Sequence, residues 1–137
     1  MWKWYALLSA FFAAMTAILA KIGIKGISGN VATAVRTIVI LLVAWSIVLF
    51  GGQLKEMKEL NKSNLLFLVL SGLATGLSWI FYFKALETGN VSKVAPIDKL
   101  SIVFVMVLSF IFLHEPMNLQ TISGGILILA GALVLIL

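Results

Sequence analysis

Few residues of this chain could do chemistry, and they sit close to the ends of apolar stretches. Arg36 lies about five residues inside a stretch that starts near residue 31, roughly 8 Å along a helix at 1.5 Å per residue. A guanidinium at that depth either snorkels to the headgroups or lines a polar cavity. Trp79 and Tyr82, in "SWIFYF" (78–83), are roughly one turn apart. They form either an interfacial aromatic belt or a platform on which a solute stacks. Asp98 and Lys99, in "KVAPIDKLSIVF" (93–104), place opposite charges where another apolar stretch begins. The chemistry available is recognition by charge and ring faces. Catalysis is not suggested, because no nucleophile–base constellation or cofactor motif is visible. With no Cys, one His and five acidic residues, thiolate sites are excluded and little remains for a metal cage. The expectation is no cofactor, no metal and no enzyme.

The elements that must position these groups are membrane spans. Of 137 residues, 62% are hydrophobic and 11% charged, whereas soluble chains carry about 25% charged residues. A hydrocarbon core of ~30 Å needs ~20 apolar residues of helix. Five stretches fit, with helices expected at about 4–24, 31–50, 65–88, 93–113 and 119–137 in a single domain, 1–137. Trp2, Trp4 and Tyr5 anchor the first at an interface. It reads as a span rather than a cleaved leader, since "KIGIKG" follows directly with no A-x-A site. No Lys/Arg cluster alternates with stacking aromatics, so nucleic acid is not an expected partner. The lipid bilayer is.

Punctuation supports these bounds. Ser28-Gly29-Asn30 precedes the second span, Ser63-Asn64 the third, and "HEPMN" (114–118) turns into the fifth. The connector "GGQLKEMKELNKSN" (51–64) has room for a short interfacial helix. With Ser92 as the cap of the fourth span, Pro96 falls in its first turn, where N–H groups lack partners anyway. Asp98 then sits at the positive end of the helix dipole. The functional reading, compatible with the first, is that this start lines the mouth of a transport path, with Asp98 and Lys99 facing water.

Alternation of the spans assigns the charges to two faces. Lys3, Lys55, Lys58 and Lys62 lie on one; Lys21, Lys25, Lys84, Lys93 and Lys99 lie on the other, with Arg36 nearby. A strong positive-inside bias is absent. Either a weak bias decides the orientation, or the chain inserts both ways and opposed copies pair.

The stretch "KALETGNVSKVAPIDKLSIVFVMVLSFIFLHEPMNLQTISGGILILAGALVLI" resembles the C-terminal part of an EamA domain, the five-helix unit of the drug/metabolite transporter superfamily. An Ala-Leu pair ends helix three, a Pro opens helix four, a Glu (Glu115) follows helix four, and helix five is Gly-rich. The likeness is most specific from Lys84 to Gly131 and extends over the whole chain in span number and length. Larger members carry two such units in inverted topology. The resemblance therefore implies an all-α integral membrane fold whose five helices pair as an antiparallel ten-helix homodimer, or with a related chain.

Other residues take roles within that frame. Gly124 and Gly131 are seven apart, on one face of helix five, and are assigned to the dimer interface. Gly72 and Gly76 are read as packing within the bundle, and Trp45 in mid-helix two, too deep for an interfacial belt, is read as packing. Glu115 is read as a structural acid that caps helix five or pairs with a lysine, and His114 as interfacial. No helix has a mid-membrane carboxylate, so the proton-coupled drug export of small multidrug resistance proteins is not expected. The expected function is alternating-access transport of small metabolites, polar or amino-acid-like, in the cytoplasmic membrane. The path is placed at Arg36, Trp79, Tyr82, Asp98 and Lys99. The competing reading is a non-transporting subunit that supports a partner, such as a component of a lipid-carrier flippase. A carrier needs a polar-lined cavity; a supporting subunit needs only a packing face.

Overall fold

A computed structural model describes residues 1–137, and all its regular structure is helical. Five segments are long and apolar enough to cross a bilayer. The chain packs as two units, residues 1–88 and 89–137.

The first unit holds three long helices: α1 (Trp2–Gly23), α2 (Gly29–Phe50) and α3 (Lys62–Thr88). A 3-10 helix, Gln53–Glu59, occupies the long connector. Ser28 caps α2, its hydroxyl accepting the Val31 N–H at 3.4 Å. Before α3 the acceptor is Asn61, whose Oδ1 takes the Asn64 N–H at 2.8 Å. The buried core is small and lies where the end of α1, the start of α2 and the end of α3 meet. It consists of Ala17, Ile24, Thr33, Phe83 and Leu86. Thr33 satisfies its hydroxyl locally, donating to the Gly29 carbonyl at 2.8 Å. Most other apolar side chains face outward, as expected where lipid rather than water surrounds the protein. Trp45 is among them, 43% exposed. A Cβ at Gly72 or Gly76 would meet nothing within 4 Å, so this GxxxG does not hold the bundle together.

In the second unit the fourth span is broken. Its parts are α4 (Val91–Asp98) and α5 (Ser101–Phe112), followed by α6 (Leu119–Ile136). The cap of α4 is Asn90 rather than Ser92, so Pro96 is in the helix interior and not its first turn. Without an N–H it cannot bond the Ser92 carbonyl, and its ring crowds that group. One turn later the backbone tightens to i→i+3 bonds: Lys99 to Pro96, Leu100 to Ile97 and Ile102 to Lys99, at 3.0–3.1 Å. Asp98 therefore ends α4 instead of opening a helix, and the dipole rationale for it at the start of span four does not hold.

After α5, His114 adopts a left-handed φ of 53° that reverses the chain. Asn118 caps α6, its Oδ1 accepting the Thr121 N–H at 2.8 Å, so Glu115 is not the cap. On α6 the residue meeting α5 is Gly125, where an added Cβ would lie 2.9 Å from the Met106 sulfur. Ala132, two turns on, is buried as well.

Candidate functional site

Two features converge in the first unit. One is a polar clasp between helix ends. Glu87, in the last turn of α3, accepts the backbone N–H of Gly29, the first residue of α2. Lys21, in the last turn of α1, donates to the Leu86 carbonyl. Each contact satisfies a terminal group that the helix itself leaves open, with charge signs that complement the helix dipoles. The approach requires glycine. A Cβ at Gly29 would stand 3.0 Å from the Phe83 carbonyl carbon and 3.1 Å from its Cβ. Lys21, Lys25, Glu87 and the 24–28 loop also surround a polar recess of about 380 Å³.

The second feature is a largely apolar cleft of about 370 Å³, walled by Leu19, Ala20 and Gly23 of α1, Val35 of α2 and Phe83 of α3. Arg36 supplies its charge. Because α2 starts at Gly29, Arg36 is its eighth residue, about 10 Å along the helix and deeper than the sequence suggested. Its guanidinium carbon stands 4.6 Å from the Trp79 ring centroid and 5.1 Å from that of Phe83. Cation–π contacts of this kind stabilise by about 0.5–2 kcal/mol, more when desolvated. Tyr82 packs edge-on against Phe83, with centroids 6.1 Å apart. Arg36 thus stands as a half-buried cation on an aromatic platform, beside apolar walls.

The profile of the EamA-like transporter family matches residues 1–137. This chain belongs to the EamA-like transporter family. An uncharacterized transporter encoded in the cobO 3′ region of a Sinorhizobium species is 50% identical over 134 residues, 98% of this chain and 95% of that protein. The uncharacterized transporter YvbV of Bacillus subtilis (strain 168) is 37% identical over 69 residues, 50% of this chain but 22% of that protein. No solved structure matches. Family, relatives and five spans make this a multi-pass membrane protein, and point to a transporter rather than an enzyme.

Among the residues assigned to the path of this EamA-like protein, Arg36 and Trp79 are brought into direct contact, with Tyr82 on the adjoining ring. Asp98 and Lys99 lie in the other unit and pair with each other at 3.4 Å, both partly exposed at the break in span four. Sequence reasoning missed the role of Phe83 as second ring and the clasp of Lys21, Glu87 and Gly29. The spacing carried a trace of the first: Trp79 and Phe83 are four apart, so they share the helix face that meets Arg36. Nothing local links Glu87 to Gly29, 58 residues away.

Proposed function

We propose that this protein is an alternating-access transporter of small organic metabolites in the cytoplasmic membrane, working as an antiparallel homodimer of oppositely inserted copies. The carrying observation is the cleft between α1, α2 and α3, with a cation deep in α2 held on two aromatic rings. A subunit that merely supports a partner has no need for such a cavity. Helical spans and bacterial relatives favour the cytoplasmic membrane. Pairing is supported by the even spread of lysines over the two faces of the spans, which leaves no strong orientation bias. Gly124 and Gly131 supply a face for it, since a Cβ at either would meet nothing within 4 Å and neither is used for packing inside the chain. The substrate route comprises Arg36, Trp79 and Tyr82 in the first unit. In the second unit, the Lys99–Asp98 pair at the break in span four is a separate candidate polar position.

The test begins with a thermal-shift screen of purified protein against metabolites, since a ligand that binds the folded state raises its stability. Uptake of the best stabiliser into proteoliposomes is then normalised to folded protein. Trp79→Ala and Asp98→Asn are expected to lose uptake while insertion and folding survive. Wild-type rates in both variants would remove this route.

A further inference from the structure

We infer that the Arg36 cleft selects a small monocarboxylate with an apolar body, the carboxylate seated on the guanidinium and the body against Leu19, Val35 and Phe83. This rests on the transport reading above and narrows it to a substrate class.

Charge is the first ground. Arg36 has five N–H donors in a planar fork that matches a carboxylate. No carboxylate of the protein meets it. The cleft wall contains no acidic residue, and the ion pair of the structure joins Lys99 to Asp98 instead. The rings of Trp79 and Phe83 cover the guanidinium face but offer its in-plane N–H groups no acceptor. Tyr82 is the one neighbouring side chain with an electrostatic effect on Arg36, and a half-buried cation with no carboxylate partner calls for an anion from outside the chain.

The walls argue for the rest of the molecule. Leu19, Ala20, Gly23, Val35 and Phe83 present little but hydrocarbon, and Thr16 adds a single uncharged hydroxyl. A space of about 370 Å³ is at the small end of ligand pockets, which run from about 300 to 1,000 Å³. A second charge on the solute would find no partner. The nearest acidic side chain by topology, Glu87, is already engaged by the Gly29 N–H in the separate polar recess. An ammonium is therefore disfavoured, and with it an amino-acid zwitterion. Platform, fork and greasy wall together describe a short-chain or aryl carboxylate.

Trp79 makes the test direct. Replacing Trp2, Trp4 and Trp45 by Phe leaves it as the sole indole, in contact with the proposed anion site. The protein is placed in phosphatidylcholine vesicles and titrated with 6-bromohexanoate or with the neutral 6-bromohexanamide, whose bromine quenches a nearby indole. Saturable quenching by the carboxylate is expected at a concentration about tenfold lower than by the amide, the size of one charge-assisted hydrogen-bonded pair. Hexanoate should compete and norleucine should not. Arg36→Gln should abolish the preference while quenching by the amide shows that the cleft persists; Arg36→Lys should keep part of it. Ala20→Phe, which fills the wall and spares the guanidinium, should weaken both probes. Equal quenching by the two probes in the wild type, or a preference that survives Arg36→Gln, overturns the inference. So does loss of the preference when phosphatidylglycerol is added, which would make a lipid phosphate the occupant. Uptake separates this inference from the reading it rests on. A carboxylate preference without transport of any metabolite sinks the transport function and leaves the anion site. Transport through Trp79 without the preference sinks the anion class alone.

Discussion

Glu87 and Gly29, 58 residues apart, join the end of α3 to the beginning of α2 through a side-chain oxygen and a backbone N–H. The contact exists because the two helices touch at a position with no side chain. Glu87→Ala is expected to lower stability by about 1 kcal/mol, as removal of a helix cap does. Gly29→Ala should cost about 1–3 kcal/mol, because Phe83 backbone atoms must move to admit the methyl group. The double variant should cost less than the sum, since either change alone opens the same contact. Thermal unfolding in detergent, followed by circular dichroism, reads all three. A Gly29→Ala protein as stable as wild type would contradict the close approach.

The two glycine faces of α6 should respond differently. Gly125→Leu drives a side chain into Met106 and should destabilise the protomer. Gly124→Leu and Gly131→Leu meet open space within the chain, so the protomer should unfold at its usual temperature. Their effect should fall on self-association, read by crosslinking or mass measurement in detergent. An unchanged dimer in both variants would assign the pairing surface elsewhere.

Pro96 interrupts a span that would otherwise run unbroken from Val91 to Phe112. Pro96→Ala restores an N–H for the Ser92 carbonyl and removes the ring clash. Stability should rise by up to about 3 kcal/mol, the usual penalty for proline inside a helix. If the break serves the route, uptake per folded molecule should fall at the same time. A variant that is both more stable and fully active would make the break incidental.

Orientation can be read separately. Reporters active only inside or only outside the cell, fused to the C-terminus, should both be active. Two lysines added to the 51–64 connector should then fix one orientation. Activity from a single reporter in the wild type would rule out dual insertion.

How far the sequence disclosed this molecule depends on the range of the interactions involved. Spans follow from runs of apolar residues, so five helices were legible, and with them the membrane. Caps were less so. Polar residues and glycines cluster before several of the helices, and which one caps depends on local geometry: Asn90 prevails over Ser92, and Asn118 over Glu115. The break at Lys99 was hidden because a proline near a helix start also fits an uninterrupted helix. Arg36 and Trp79 stood out one at a time as polar or aromatic groups in hydrocarbon. Their contact was not legible, since it depends on how α2 and α3 pack.

The clasp at Lys21, Glu87 and Gly29 ties α1, α2 and α3 at one end only; toward the other end α2 and α3 are joined by the 3-10 connector. If the clasp is the stiffer end, the first unit would work as a pair of tweezers, hinged there and joined at the tips by the connector alone. Two such tweezers inserted in opposite directions would put one hinge and one set of tips at each membrane surface. Neither surface would then be mechanically distinct from the other. A machine built that way has no forward stroke of its own, and the direction of net movement would be set by solute gradients and not by the protein.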